Sequence, residues 1–446
     1  MKLPKTDGYL HWVLPAMLAL AAAGVLISGR DLSQTFIELA DGSGGIRGPI
    51  IVWGQRLVSI LLLLAAGERI AHHVLDHRHL PSAALTFAFV FYWFTTVAMT
   101  AVFGSHPQLA HEYLYALILG FAMLLATPPE WERILDRARD ALVIFIVIGV
   151  GLMAVMPTMV LDMLYSQGLI PGLPRFGGLA PHPVAMGMFA QTALLLIWAR
   201  PYAKKWVNVL AWITGLAALF LAQSKTAWIA FFLCSAAMWL VRDSGRVWRK
   251  ITDPREDGLT GVVVCLTAMT VIGAVLGLLL ASDWGSKLSD FAGSAEGAQL
   301  MSLTGRDRIW AIAMEEWQSN YLFGYGPGLW DDSFRMSIGM PNATDAHNQF
   351  MDTLARSGTV GFVGLVLYGL TLMFLSLRYA RTTGGLSLAL FLALALRSIS
   401  EVPLLLFGYG TELYVHFLLL VTLAAGSAQR VVADVPRARF VYGTAS

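Results

Sequence analysis

The residues best suited to chemistry stand in the stretch TDAHNQFMDTLARSG (344–358), where His347 and Asn348 are adjacent. Thr344 or Asp345 can cap a short amphipathic helix that begins here and stops at Gly358. The positive end of that helix favours the neutral imidazole, which can accept a proton. His347 is therefore a candidate general base and Asn348 a candidate substrate contact. A structural role is the alternative for this histidine.

Two arginines fall in the first turn of a second amphipathic helix, within SLTGRDRIWAIAMEEWQSN. Arg306 and Arg308 are unfavourable beside the positive helix end, so their presence indicates a bound anion such as phosphate. Guanidinium groups also match the geometry of phosphate oxygens. Salt bridges to Asp307, Glu315 or Glu316 are the alternative.

Two other stretches carry isolated cations. Lys225, in LAQSKTAWIA, lies between two apolar stretches, where it either extends to the membrane interface or meets an anionic ligand. The loop PGLPRFGGLAPHPVAMG carries Arg175 and His182 among glycines and prolines, which let the backbone approach a ligand closely. A plain surface turn is the other interpretation of this loop.

These residues are positioned by a chain that is mostly apolar. The 446 residues are 57% hydrophobic and 13% charged, which excludes an ordinary soluble domain and predicts an all-α polytopic membrane protein. Apolar stretches near the length needed to cross about 30 Å of hydrocarbon recur along the chain. We predict about twelve transmembrane helices, at 10–28, 49–66, 82–103, 109–127, 141–165, 184–199, 206–222, 226–241, 259–281, 358–376, 385–397 and 411–426.

The distribution of lysine and arginine predicts the orientation. With the N-terminus inside, twenty of these 31 residues fall in inner segments, ten in outer segments and one, Arg56, within a span. The positive-inside rule then places both termini in the cytoplasm. The predicted organisation is residues 1–281 with helices 1–9 and short loops, a long external loop at 282–357 that contains helices, and residues 358–446 with helices 10–12 and a cytoplasmic tail. The family resemblance described below implies that 282–357 is a periplasmic catalytic loop. The candidate residues that share the outer side are Arg175, His182, Lys225, Arg306, Arg308, His347 and Glu401.

Three charged residues near the outer ends of spans have two interpretations each. Arg56, inside the second span, either snorkels outward or lines a donor cavity. Arg397 and Glu401, in RSISEVPLLLFGYG, form either a structural pair or contacts to an acceptor. No carboxylate cluster resembling a metal site is evident in the outer loops, so we expect no metal and no cofactor.

The order of several motifs resembles the O-antigen ligase family, whose superfamily also includes O-antigen polymerases and bacterial O-oligosaccharyltransferases. The motifs are RFGGLAPHPVAMG, QSKTAW, TGRDRIW, FGYGPG and AHNQFMDTLARSGTVGFVG. The resemblance covers about residues 175–364 by motif and the whole chain by hydropathy layout. The chain departs from the family at Lys225, where arginine is usual, and at Val184, where asparagine often follows the His-Pro dipeptide.

The resemblance implies a membrane glycosyltransferase of the C type in the bacterial inner membrane, with its active site facing the periplasm. The donor would be O-antigen on undecaprenyl diphosphate and the acceptor lipid A-core oligosaccharide, among membrane lipids and without nucleic acid. Direct displacement would invert the anomeric centre, with His347 as the base. The residues expected on the diphosphate are Arg306, Arg308, Lys225 and Arg175. The residues expected to contact acceptor or donor are His182, Asn348, Arg56 and Glu401.

Other functions are compatible with the same residues. A polymerase would use a second lipid-linked glycan as acceptor, and a protein O-oligosaccharyltransferase would use serine or threonine of a polypeptide. A lipid-linked glycan flippase is the alternative that is not an enzyme. Transporters place binding groups near the membrane midplane, whereas the ionisable groups here concentrate at the outer face, which favours an enzyme.

Overall fold

The computed structural model describes residues 8–34, 49–77, 79–164, 172–252, 306–341 and 343–434. This part of the chain is almost entirely helical, with one short antiparallel strand pair, β1 (Leu161–Asp162) and β2 (Arg175–Phe176). The helices are α1 (Val13–Ser28), α2 (Pro49–Leu75), α3 (Ala83–Phe103), α4 (Tyr113–Leu124), α5 (Pro128–Val155), α6 (Pro157–Val160), α7 (Pro183–Ala199), α8 (Lys205–Leu221), α9 (Lys225–Thr252), α10 (Arg306–Ser319), α11 (Asp332–Ser337), α12 (Gln349–Arg378), α13 (Leu386–Arg397) and α14 (Tyr414–Asp434).

Seven helices in the described ranges are long and apolar enough to cross a membrane, namely α1, α2, α3, α5, α9, α12 and α14. Eleven of the predicted spans fall in these ranges, and each coincides with a helix, although α4, α7, α8 and α13 are shorter. The predicted span 259–281 lies outside the described residues. The polytopic helical class is therefore confirmed, whereas the count of twelve is not.

Helix α5 shows why one predicted boundary was wrong. The expected span was 141–165, but the helix runs from Pro128 to Val155. Thr127 begins it through a capping box with Glu130, and its first half is rich in charged residues that a hydropathy pattern does not detect. Asp136 of this half pairs with Arg200 at 3.0 Å, which ties the predicted inner end of α5 to the turn after α7.

The centre of the bundle is formed by the helices that are buried on all sides. Helix α14 is the most enclosed of the seven long helices, and nearly every residue of α7 from Pro183 to Ile197 is buried. Phe189 of α7 and Tyr414 of α14 meet edge to face with ring centroids 6.0 Å apart. Because α7 and α14 are fixed in this core, the outer end of α7 is a rigid support for residues placed on it.

Helix α12 joins the outer segment to the membrane without a loop. The predicted short helix does stop at Gly358, but a second helical run follows at once, because Gly358 adopts φ 63° and ψ −166°. The N–H groups of Thr359 and Val360 donate to the carbonyls of Tyr321 and Leu322 at 2.8 and 3.1 Å. A Cβ atom at position 358 would clash with the carbonyl group of Leu322, so glycine is required there.

The glycine-rich turn FGYGPG is packed against this break. Gly326 donates its N–H to the carbonyl of Arg356 at 3.1 Å, and a Cβ atom at Gly324 would meet the carbonyl of Ala355. Both glycines have positive φ, 69° at Gly324 and 125° at Gly326. The turn therefore joins α12 to the end of α3, where a Cβ at Gly326 would strike the carbonyl of His106.

Candidate active site

His347 lies immediately before α12, in a backbone conformation that few side chains adopt. Its φ is +47°, and its N–H donates to Asp345 Oδ1 at 2.6 Å, as in an Asx turn. The cap of α12 is Asn348, whose Oδ1 accepts from the N–H of Met351 at 3.1 Å, so the expected cap at Thr344 or Asp345 was wrong. The turn and the cap together fix the backbone from which the imidazole projects.

The start of α12 is tied to the segment that follows α13. Asn348 Nδ2 donates to the carbonyl of Ile399 at 3.1 Å, and the N–H of Gln349 donates to the carbonyl of Ser398 at 2.9 Å. These contacts use both ends of the Asn348 amide, so its described role is structural. They also bring Glu401 beside His347, which no local sequence pattern indicates.

Two carboxylates flank the imidazole of His347. Its Nδ1 lies 3.2 Å from Asp345 Oδ1 and 3.7 Å from Glu401 Oε2. The Glu401 contact is too long for a direct hydrogen bond and is an ion pair when the imidazole is protonated. Glu401 is only 9% exposed, whereas the side chain of His347 is 30% exposed. The imidazole thus has a buried Nδ1 close to two carboxylates but without a hydrogen bond, while part of the side chain is exposed.

The surrounding charges favour the protonated imidazole. The Glu401 carboxylate raises the pKa of His347 above its ordinary value; burial opposes this, and Asp345 adds to it. Burial also disfavours the charged form of Glu401, yet His347 and neighbouring cations outweigh it and lower the pKa of Glu401. The raised pKa runs against the expectation that the helix end favours the neutral imidazole, because Glu401 and Asp345 favour the charged form.

The two other titratable residues of this region respond mainly to burial. Burial raises the pKa of Asp345 to about 6, with His347 acting in the opposite direction. Burial lowers the pKa of His182, against the attraction of Glu401. Near neutral pH, His182 is therefore uncharged and Asp345 is mostly ionised.

Arg306 is a predicted diphosphate-binding cation whose charge acts on His347. It is the first described residue of α10, and its charge opposes protonation of His347. Helix α10 packs along α12, and Trp310 Nε1 donates to the carbonyl of Ala346 at 2.9 Å. The predicted diphosphate-binding residue Arg306 and the predicted base His347 are therefore connected through the packing of α10 on α12. Lys225 begins α9 and is exposed.

Two residues predicted to contact the substrates, Arg308 and Arg56, have other partners in the structure. Arg308 donates through Nη2 to the carbonyl of Ile338 at 2.9 Å, which holds the start of α10 against the end of α11. Arg56 stacks over the ring of Trp53, 5.1 Å from its centroid, on an exposed face of α2. The snorkelling interpretation fits Arg56 better than a cavity lining.

The loop before α7 is bound to the predicted outer end of the bundle. Arg175 donates through Nε to the carbonyl of Ala222 at 2.8 Å and lies opposite Asp162 in the strand pair. His182 caps α7 by accepting the N–H of Ala185 at Nδ1, 3.3 Å away. Both residues have structural contacts, and both act electrostatically within the region of Glu401.

The site also corrects two expectations about acidic residues. Asp345, His347 and Glu401 offer ligand atoms within 4.8 Å of one another, so three residues that could hold a metal ion do converge on the predicted outer side. Asp345 was predicted only as a helix cap and not as a partner of His347, although aspartate is a common turn residue whose side chain bonds the backbone two residues on. Of the two interpretations of Arg397 and Glu401, the structural pair has no direct hydrogen bond or ion pair between these described side chains, although the charge of each acts on the other.

The substitution Glu401→Gln tests the electrostatic link to His347. Removing this carboxylate should lower the pKa of His347, since the charge that favours the imidazolium is lost. If the neutral imidazole is the active form, transfer rises with pH through that pKa, and the rising limb moves to lower pH in the variant. A pH profile of kcat/KM measures the shift. A rising limb at the same pH in the variant and the wild type would show that Glu401 does not control the pKa of His347.

Comparison with known proteins adds an independent observation. The family model described as O-antigen ligase matches residues 209–366, which contain four of the five motifs and all of α10, α11 and the outer part of α12. The loop with Arg175 and His182 lies before the matched segment. No curated protein matches the chain significantly. The resemblance indicated by the motifs is thus confirmed, and over residues 209–366 this multi-pass membrane chain is a match to the O-antigen ligase family.

Proposed function

We propose that the protein transfers O-antigen polysaccharide from undecaprenyl diphosphate to lipid A-core oligosaccharide at the periplasmic face of the inner membrane. The family match supports a glycosyltransferase that uses a lipid-linked glycan. The single observation that carries the proposal is the placement of His347 between Asp345 and Glu401, with its open side on the predicted outer face.

The base in this proposal is the nitrogen that faces away from the acids. A proton on Nδ1, directed at Asp345 and Glu401, leaves the lone pair on Nε2 free to take a proton from an acceptor hydroxyl. The carboxylates stabilise the imidazolium that forms, in the way that a buried aspartate orients the histidine of hydrolase triads. The acceptor oxygen bonds to the anomeric carbon as the bond to the diphosphate breaks, so the anomeric centre is inverted.

The leaving group in this reaction needs cations more than an acid. Negative charge accumulates on the diphosphate as the bond to the sugar breaks, and fixed cations in a dry site stabilise it. Arg306 acts on His347 through its charge, and Lys225 begins a helix on the same predicted side. These two cations support donor binding most directly. Arg308 and Arg175 reach backbone carbonyls and would need to turn to serve as further anchors.

Metal removal should leave the activity unchanged. The reaction proposed here takes its positive charge from side chains, so EDTA should not slow transfer and added Mg²⁺ or Mn²⁺ should not accelerate it. Initial rates before and after EDTA treatment measure this. A loss of activity that a divalent cation restores would instead make Asp345, His347 and Glu401 metal ligands.

The proposal is tested by incubating the purified protein with lipid-diphosphate-linked O-antigen and lipid A-core, then separating the products on a gel. Ligated lipid A-core is the expected product. Elongated donor without ligated core would make the protein a polymerase. Glycosylated polypeptide in a parallel reaction would make it a protein O-oligosaccharyltransferase. Movement of intact donor across vesicles without any covalent product would indicate a flippase.

A further inference from the structure

The side chain of Gln349, the first residue of α12, is buried and makes two hydrogen bonds. It is 1% exposed, and its Oε1 accepts the N–H of Leu404 at 2.8 Å, from a position 55 residues further along the chain. Its Nε2 donates to Thr353 Oγ1 at 2.9 Å, one turn along the same helix. Since the N–H of Leu404 can only donate, the amide oxygen must face it, and both ends of the amide are paired. These bonds fix the rotamer of Gln349.

Both main-chain polar groups of Leu404 are bonded to side chains of other elements. Its N–H donates to Gln349, and its carbonyl accepts the hydroxyl of Tyr92, in α3, at 2.9 Å. Tyr92 is 2% exposed and stacks on Tyr368 of α12, with ring centroids 4.8 Å apart. Leu404 is therefore held between α3 and the start of α12, and it depends on Gln349 for its only donor group.

Glu401 lies between two points at which its part of the chain is bonded to Gln349. Before Glu401, the carbonyl of Ser398 accepts the main-chain N–H of Gln349 at 2.9 Å. After Glu401, the N–H of Leu404 donates to the side chain of the same glutamine. We call residues 398–404 the Glu401 segment. One residue of α12 thus bonds to this segment on both sides of the carboxylate.

Gln349 is also two residues from the candidate base, His347. The 3.7 Å distance between His347 Nδ1 and Glu401 Oε2 therefore depends on how the Glu401 segment lies on the start of α12. The bond from Asn348 to Ile399 also joins the two parts, but it is exposed, where water competes for the same groups. The side-chain bond of Gln349 is buried, so its loss would leave the N–H of the segment without a partner.

We propose that Gln349 is a positioning residue for glycan transfer, which acts by holding the Glu401 carboxylate beside His347. This inference rests on the proposed function and assigns a role to a glutamine that no sequence pattern indicated. Gln349 touches neither reactant in this role. A carboxylate held in place stabilises the imidazolium that forms as the acceptor loses its proton, whereas a carboxylate on a loose segment must first be ordered.

The experiment measures glycan transfer by the full-length variant Gln349→Met in detergent, on the high-pH plateau of the rate. Methionine is close to glutamine in length but is at most a weak acceptor. We expect kcat to fall by about tenfold, because the base loses part of its support, while KM for the lipid-linked donor stays within about twofold of the wild-type value. Equal kcat in the variant and the wild type would overturn the inference.

The matched control is Gln191→Met, the same substitution at another buried glutamine. Gln191 lies in α7 and is 3% exposed, and its Nε2 donates to Cys234 Sγ at 3.6 Å. This variant should transfer glycan with the wild-type kcat, because Gln191 makes no hydrogen bond to the Glu401 segment among the described residues. An equal loss of kcat in both variants would show a general effect of removing a buried amide and would overturn the inference.

A double variant separates positioning from a general loss of stability. If Gln349 acts through Glu401, adding Gln349→Met to Glu401→Gln should lower kcat by less than about twofold, since the carboxylate to be positioned is already absent. A further fall of about tenfold in the Glu401→Gln background would mean that the two residues act independently, and it would overturn the inference.

Thr353→Val provides the test if Gln349→Met does not fold. Valine keeps the shape of threonine and removes the acceptor of Gln349 Nε2, so the glutamine is no longer fixed toward Leu404. We expect a smaller fall in kcat, about threefold, which again disappears in the Glu401→Gln background. A wild-type kcat in Thr353→Val would then overturn the inference.

Amide hydrogen exchange reports the same contact without substrate. Peptides that cover the Glu401 segment should exchange faster in Gln349→Met than in the wild type, and at the wild-type rate in Gln191→Met. A wild type that transfers no glycan would reject the proposed function, and with it the role of Gln349 in transfer, even where exchange shows the contact. Wild-type transfer, with kcat and exchange unchanged in Gln349→Met, would reject the inference alone.

Discussion

Glycan transfer is expected to fall by about 10²- to 10⁴-fold when His347 is replaced by alanine, while the affinity for undecaprenyl diphosphate stays near the wild-type value. The imidazole has Nδ1 between two carboxylates and a partly exposed ring, which is the arrangement of a positioned base. An acceptor hydroxyl is a weak nucleophile without proton removal. Initial rates at saturating donor, together with a donor titration, measure the two quantities separately.

The control for this substitution is another histidine on the predicted outer side. His111 stands between α3 and α4 with a side chain that is 76% exposed, and His111→Ala should transfer glycan at the wild-type rate. His347→Gln keeps polarity and size but has no basic nitrogen, so it should be as slow as the alanine variant. Near-normal transfer by either His347 variant would show that His347 is not the general base. A loss of donor affinity with an unchanged maximal rate would make His347 a binding residue.

Replacing Arg356 with alanine is expected to lower the free energy of unfolding by about 3–5 kcal/mol, because it strands a buried carboxylate. Arg356 is 5% exposed, and its Nε lies 3.1 Å from Asp352 Oδ2. Its Nη1 also donates to the carbonyls of Pro327 and Leu329 at 2.8 and 2.7 Å. One side chain therefore joins α12 to the glycine-rich turn, and chemical unfolding in detergent should show the loss.

Removing both members of this pair distinguishes charge from packing. The double variant Asp352→Leu with Arg356→Met leaves no buried charge, so it should regain a large part of the stability that Arg356→Ala loses. Arg381→Ala is the control, since Arg381 is exposed and should unfold at the wild-type midpoint. An Arg356→Ala midpoint equal to that of the control would show that the pair does not hold the turn.

The membrane helices could be predicted because their signal is local. A run of apolar residues gives a helix whatever surrounds it, and every predicted span within the described ranges coincides with one. Boundaries were less predictable, as α5 shows. Its charged first half continues the helix beyond the apolar stretch, with Asp136 paired to Arg200.

The candidate site was predictable only where its residues adjoin in sequence. His347 stands in the most specific motif, and Arg306 follows from the first turn of α10. The pairing of His347 with Glu401 depends on bonds from Asn348 and Gln349 to a distant segment. For the same reason the pKa of His347 was misjudged, because the local helix end was visible in the sequence and the distant carboxylate was not.

The break at Gly358 has a mechanical consequence. Peptide groups of Thr359 and Val360 bond to Tyr321 and Leu322, so the described outer segment after α10 is joined to a membrane helix through the main chain. Swinging this segment away would break these main-chain hydrogen bonds. We therefore expect this segment to stay against α12 and not to open as a gate during the reaction.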